Sequence, residues 1–239
     1  MKTYDEFASV YDVFMADAPY DEWMDLILSH WPLAARDVAD AGCGTGILTV
    51  PLSASARTCI GVDASETMLA KAQERALEMR SHVTFLCQDL RELRLPHAVD
   101  LVVSTCDVMN YLPLSDLPRV FAGIRKSLKP TGAFAFDIIG PRRVAALAQG
   151  YWHQIEDDAV LLHETRVVER VIEHEVHAFV RLDDGLYERI EEEHRQYYHE
   201  EAEVARVLRD CGFQVDSVLA DFARERTGEA DRLVFIARV

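Results

Sequence analysis

The chain has 239 residues, 49% of them apolar, and 41 Asp and Glu against 25 Lys and Arg for a formal net charge of −16. That length buries a full α/β core in one domain, and the acidic balance disfavours direct nucleic-acid binding, which needs basic surface against phosphates. Cys43, Cys59, Cys87, Cys106 and Cys211 stand singly with no C-x-x-C pair, which predicts a reducing cytoplasm without disulfides or a metal centre.

The opening residues are acidic and aromatic, so neither a secretory leader nor a membrane contact is expected. Residues 1–30 read as two short helices broken by Pro19. Phe7, Val10, Tyr11 and Phe14 fall at helical spacing on the first, and Trp23, Leu26, Ile27 and Trp31 form a core stripe on the second.

Next comes Val38-Ala39-Asp40-Ala41-Gly42-Cys43-Gly44-Thr45-Gly46, an apolar strand running into a turn with three alternate glycines and then a helix. Glycines here let backbone N–H groups approach a ligand, and the helix start offers more of them. The dinucleotide fingerprint requires glycine where Ile47 stands, and a Walker loop requires Lys-Ser/Thr where Ile47-Leu48 stands. Asp40 would repel a phosphate, so the loop suits a nucleoside cofactor without one.

Strands are expected at about 37–41, 58–62, 82–87, 99–105 and 133–139, and helices at about 46–54, 66–80 and 115–128, the last capped near Ser115. Such alternation predicts a parallel sheet covered on both faces, with ligands at the carboxyl ends of its strands. Asp40, Asp63, Asp89 and Thr105-Cys106-Asp107 all fall at those ends. Asp63 also reads as a turn or N-cap acid, because Ala64-Ser65-Glu66 follows it. Met68, one turn into the next helix, suits either an adenine ring or the core.

Beyond residue 140 the alternation stops. A short helix over 141–149 precedes long strands at 160–170, 171–183 and 186–198, with Asp184-Gly185 as a tight turn. Residues 151–203 hold 16 acids and 5 bases, −11 of the total charge. His163, His174, His177, His194 and His199 are interspersed with Glu173, Glu175, Glu191, Glu192 and Glu193, but Glu173, Glu175 and His177 share one strand face while His174 lies on the other. A solvated acidic face is therefore expected rather than a metal site. A helix at 201–211 and strands at 214–222 and 232–238 close the chain.

Val38–Gly46 resembles the first motif of the class I S-adenosylmethionine (SAM) dependent methyltransferases. Ile60–Asp63, Phe85–Leu90, Val99–Thr105 and Leu128–Asp137 are similar to the motifs that follow it, in order and spacing. The opening Tyr4–Asp12 is similar to a bacterial branch of mostly small-molecule methyltransferases. The resemblance implies a Rossmann-like sheet of seven strands with the last antiparallel, here with an antiparallel platform inserted after strand 5 over residues 141–200. It implies one domain over 1–239, with 1–30 as a helical lid from which Tyr4 or Tyr11 reaches the cofactor. It implies SAM as cofactor, S-adenosylhomocysteine (SAH) as product, Asp63 on the ribose hydroxyls and Asp89 on the adenine amino group. Asp40, Gly42, Cys43, Gly44, Gly46, Ala64, Met68, Gln88, Leu90, Thr105 and Cys106 complete the expected cofactor site. Cys106 is read as a loop residue, not a nucleophile, because no proline precedes it. Asn110, Tyr111, Trp152 and Tyr198 are the acceptor-side candidates. Asp107, Tyr11, His153 and His199 are the candidate bases, with no spacing that singles one out. The expected reaction is in-line methyl transfer to nitrogen or oxygen of a small molecule in the cytoplasm. The alternatives are a SAM- or SAH-binding regulatory or assembly protein without turnover, and methylation of RNA or protein with a helper subunit. The oligomeric state is left open, a dimer included.

Overall fold

In a computed structural model of the chain, the residues described are 11–15, 17–156, 159–182, 184–223 and 230–239. Tyr4, Phe7 and Val10 lie outside them. The elements of the first part are α1 (Tyr11–Phe14), α2 (Tyr20–His30), β1 (Asp37–Ala41), α3 (Thr49–Ser55), β2 (Thr58–Asp63), α4 (Glu66–Glu78), β3 (Val83–Cys87), β4 (Val99–Ser104), α5 (Leu117–Ser127) and β5 (Leu128–Ile139). They are followed by α6 (Pro141–Leu147), β6 (Tyr151–Ile155), β7 (Ala159–Val168), β8 (Val171–Arg181), β9 (Tyr187–Tyr197), α7 (Glu201–Asp210), β10 (Gln214–Ala220) and β11 (Arg232–Arg238).

Seven strands form one sheet in the order β10-β11-β5-β4-β1-β2-β3. β1 pairs in parallel with β2 and β4, and only β11 is antiparallel to its neighbours β5 and β10. All five residues of β1 are buried, which is why that strand reads as a near-continuous apolar run. Phe121 of α5 packs with Phe134, Phe136 and Phe235 on one face, and Val204 and Leu208 of α7 join that cluster. Trp23 and Ile27 of α2 and Leu52 of α3 cover Leu101, Val103 and Val234 on the other. Trp31 is half-buried against the second cluster.

The expected boundaries shift where turn chemistry intervenes. α3 begins at Thr49 rather than 46, because the Gly46 N–H still closes a turn on Cys43 O at 3.0 Å. Ser115 is not the cap of α5: the helix starts at Leu117 after Asp116, with no side-chain cap and with Pro118 in its first turn, where a missing N–H costs nothing. Ser65 does cap α4, accepting from Met68 N at 3.3 Å.

The second sheet, β6-β7-β8-β9, is antiparallel throughout. β6 was not expected from the sequence; its five residues pair with β7 and alternate between exposed and half-buried. Along β8, Ile172, His174, Val176 and Ala178 are buried, and along β9, Ile190, Glu192, His194 and Gln196. Glu175, Glu191, Glu193 and Arg195 are exposed between them. The period of two thus turns His174 and His194, opposite each other in register, inward, and Glu192 with them. Gly185, at φ +80°, makes the tight turn with Asp184, whose Oδ1 accepts from Leu186 N at 3.0 Å. No helix among the described residues is long and apolar enough to cross a membrane.

Candidate active site

A cavity of about 1030 Å³ lies along the carboxyl ends of β1, β2, β3 and β4, where a parallel sheet presents its loops. The glycine turn forms one wall. Gly42, at φ +86°, has no room for a side chain: a Cβ there would lie 2.6 Å from both methyls of Val108. Gly44 opens on free space, and its N–H donates to Asp63 Oδ2 at 2.9 Å. Gly46 does not line the cavity; it lets the turn approach Ala72 of α4, whose Cβ would be 3.1 Å from an added one.

Three acids stand around this turn in different states. Asp40 is buried; its Oδ2 accepts from Thr49 Oγ1 at 2.6 Å, and its Oδ1 has no hydrogen-bond partner. Burial, helped by the nearby charge of Asp63, pushes its carboxyl up to about 7 against the hydrogen bond from Thr49. A buried carboxylate oxygen without a donor is costly, and it fits the ammonium of an amino-acid-bearing nucleoside. Asp63 ends β2 and also accepts from Ser65 N at 2.9 Å, so it is both turn acid and cavity wall. Burial raises its carboxyl above the ordinary range. Asp89 is held well down by the Arg91 guanidinium, whose Nε lies 2.9 Å from Oδ1. Met68, 2% exposed, and Ala64, Leu90 and Cys43 line the same part of the cavity. Gln88 reaches the cavity too, but its side-chain amide closes a loop on Arg94, donating to Arg94 O at 3.1 Å and accepting from Arg94 N at 2.9 Å.

Beyond β4, Thr105 and Cys106 line the opposite wall. Burial pushes the Cys106 thiol up to about 11, so it stays protonated, as a loop residue would. Above them stands the inner face of the second sheet. His163 Nε2 and His174 Nδ1 are 2.9 Å apart, and Tyr111 meets His194 edge-on with ring centres 6.4 Å apart. Burial lowers all three imidazoles, His163 to about 3 and His194 to about 4, so they are uncharged at neutral pH.

The structure brings only part of the expected acceptor side together. Tyr11 and Tyr111 line the cavity. Tyr198, just past the end of β9, does not; its neighbour Tyr197 does. Asn110 is buried outside the lining and staples two elements, donating to Tyr197 O at 2.7 Å and accepting from Ile139 N at 2.9 Å. Trp152 packs edge-on against His163 at 5.1 Å. Among the candidate bases, His153 is exposed on β6, and buried His199 spends its ring on Leu112 O at 3.0 Å. Asp107 accepts from Gln196 Nε2 at 2.6 Å and lies off the cavity wall. His174, His194 and Tyr20 line the cavity without having been singled out for it, and Glu173, Glu175 and Glu193, expected on a solvated face, line it too. Strand alternation already sets His174 apart from Glu173 and Glu175; nothing local marks Tyr20.

Comparison with known proteins agrees with this geometry. A family model described as a methyltransferase domain matches residues 38–132. A protein of Geobacillus sp. (strain WCH70) named "Putative methyltransferase" is 34% identical, the match covering 99% of each chain. "Putative methyltransferase YqeM" of Bacillus subtilis is 33% identical over 98% of this chain and 96% of its own. The crystal structure of a SAM-dependent methyltransferase from Clostridium acetobutylicum superposes with a TM-score of 0.88 at 24% identity, covering 99% of this chain and 98% of that one. With its glycine turn, its strand-end acids and its seven-stranded sheet, the chain belongs to the class I SAM-dependent methyltransferases.

Proposed function

We propose that the chain transfers the SAM methyl group to nitrogen or oxygen of a small molecule held between the cofactor and the inner face of the second sheet. The observation that carries this reading is the cavity itself. Its volume of about 1030 Å³ is shared by the glycine turn and the β7–β9 face, and it lies at the top of the ~300–1,000 Å³ range of small-molecule sites, which leaves room for an acceptor beside the cofactor.

The cofactor supplies a methyl already activated on a sulfonium, so the protein's task is to align a nucleophile and exclude water. Asp40 takes the ammonium, Asp63 the ribose hydroxyls, and Met68 and Leu90 flank the base. On the acceptor side the proton displaced from nitrogen or oxygen needs a neutral base. His174, uncharged and in hydrogen-bond contact with His163, is placed for that role, with Tyr11 and Tyr111 as walls. The net charge of −16 works against an acceptor that carries several phosphates. The test supplies methyl-labelled SAM and the intact protein to a cell extract. Label should collect in the small-molecule fraction; label in RNA or protein alone contradicts the reading.

A pH dependence follows from Asp40. With its carboxyl raised from 3.8 to about 7, the folded chain holds a proton that the unfolded chain would lose. The group therefore stabilises the ligand-free fold fully below pH 3.8, and that contribution is lost as pH rises through 7. An ammonium reverses the preference, so SAH should bind more tightly as pH rises from about 6 to 8, by up to about tenfold per unit below the carboxyl's pKa. Calorimetry should also show proton release on binding. Asp40→Asn should flatten the profile, and a flat wild-type profile would remove Asp40 from the ammonium site.

A further inference from the structure

Cys106 and Asp107 are consecutive non-glycine residues in the left-handed region, at φ +60° and +55°. Such a corner persists only where its surroundings over-determine it. Four elements do so here. Asp137, fully buried on β5, accepts from Asp107 N at 3.0 Å. Arg232 of β11 pairs with Asp137 and reaches Asp107 Oδ1 at 3.5 Å. Gln196, 4% exposed on β9, donates from Nε2 to Asp107 Oδ2 at 2.6 Å. The fourth element is β4 itself, which delivers Thr105 and Cys106 to the cavity wall immediately before the corner. Neither Asp107 nor Gln196 lines the cavity, yet between them they tie the inserted sheet to the wall that the cofactor meets.

We infer that Gln196 is a positioning residue: through Asp107 it fixes the left-handed corner after β4, so that the inserted sheet and the cofactor wall act as one unit. Gln196 sits two residues from His194 and is followed by Tyr197, both on the acceptor side of the cavity. Anything that orders β9 therefore orders Thr105 and Cys106. By linkage, a ligand on either side of the cavity strengthens the other. This role rests on the methyltransferase reading, because the cofactor wall is defined by it.

The test measures SAH affinity by calorimetry and thermal stability without ligand, both on the full chain. Gln196→Met keeps the volume and removes the hydrogen bond. It should weaken SAH roughly three- to tenfold, the range for one lost hydrogen bond, at temperatures where the chain is fully folded. Asp107→Gly relaxes the corner and removes the acceptor, and in that background Gln196→Met should have no further effect on SAH affinity. Unchanged SAH affinity in Gln196→Met, with or without a lowered melting temperature, would overturn the inference and leave Gln196 a packing residue. So would an effect that adds in full to that of Asp107→Gly. Failure of the wild-type chain to bind SAH would instead defeat the cofactor reading, so the two failures are distinguishable.

Discussion

Gly42→Ala should cost the chain about 2–4 kcal/mol of stability and most of its affinity for SAH. Two separate terms produce that loss. The residue sits at φ +86°, where a side chain costs roughly 1–2 kcal/mol. The added Cβ would also meet both Val108 methyls at 2.6 Å, and Val108 lies in the turn between the β4 corner and Tyr111. Relief requires that turn or the glycine loop to move, and both line the cavity. Gly44→Ala provides the contrast. Its φ is +52° with nothing within 4 Å of the new Cβ, so only the conformational term of roughly 1–2 kcal/mol applies. Urea unfolding and SAH titration of the two variants should separate them. Equal stability of Gly42→Ala and wild type would show that the turn is looser than its contacts imply.

Asp63→Ala should weaken SAH by about 1–3 kcal/mol, roughly five- to 150-fold, while the chain stays folded. The carboxylate accepts from Gly44 N and Ser65 N at 2.9 Å each. Its loss therefore frees a donor in the glycine turn as well as removing the proposed partner of the ribose hydroxyls. Gly44 N can turn to water through the open side of the cavity, which limits the stability cost to one or two hydrogen bonds, about 1–2 kcal/mol. Unchanged SAH affinity in the folded variant would confine Asp63 to its turn role.

The strand-end half of the cavity was legible because its physics is local. A buried parallel strand leaves a continuous apolar run, an alternate-glycine turn leaves a fixed spacing, and a ligand at strand ends draws acids to those ends. Asp40, Asp63 and Asp89 were found that way. Gly46 was found by the same spacing, although it serves packing against Ala72. The acceptor half depends on contacts between residues far apart in the chain. Asn110 and His199 have the chemistry of ligand-binding groups, but Tyr197 O, Ile139 N and Leu112 O, their actual partners, lie 29 to 87 residues away. Asp107 was drawn to the strand end like the other acids, and only the fold reveals that Gln196 and Arg232 claim it. Tyr198 follows the last residue of β9, and it is Tyr197 that lines the cavity. The inward turn of His174 follows from strand alternation, but the solvated acidic face expected of the insert does not hold throughout: Glu192 is buried, and Glu173, Glu175 and Glu193 line the cavity.

The strand-end acids and the glycine turn together make a working SAM site. Calorimetric titration of the intact chain with SAM and with SAH tests it most directly. The structure predicts one site per chain with micromolar affinity, or about 8 kcal/mol of binding free energy, for both ligands. A folded, monodisperse sample that binds neither would contradict it.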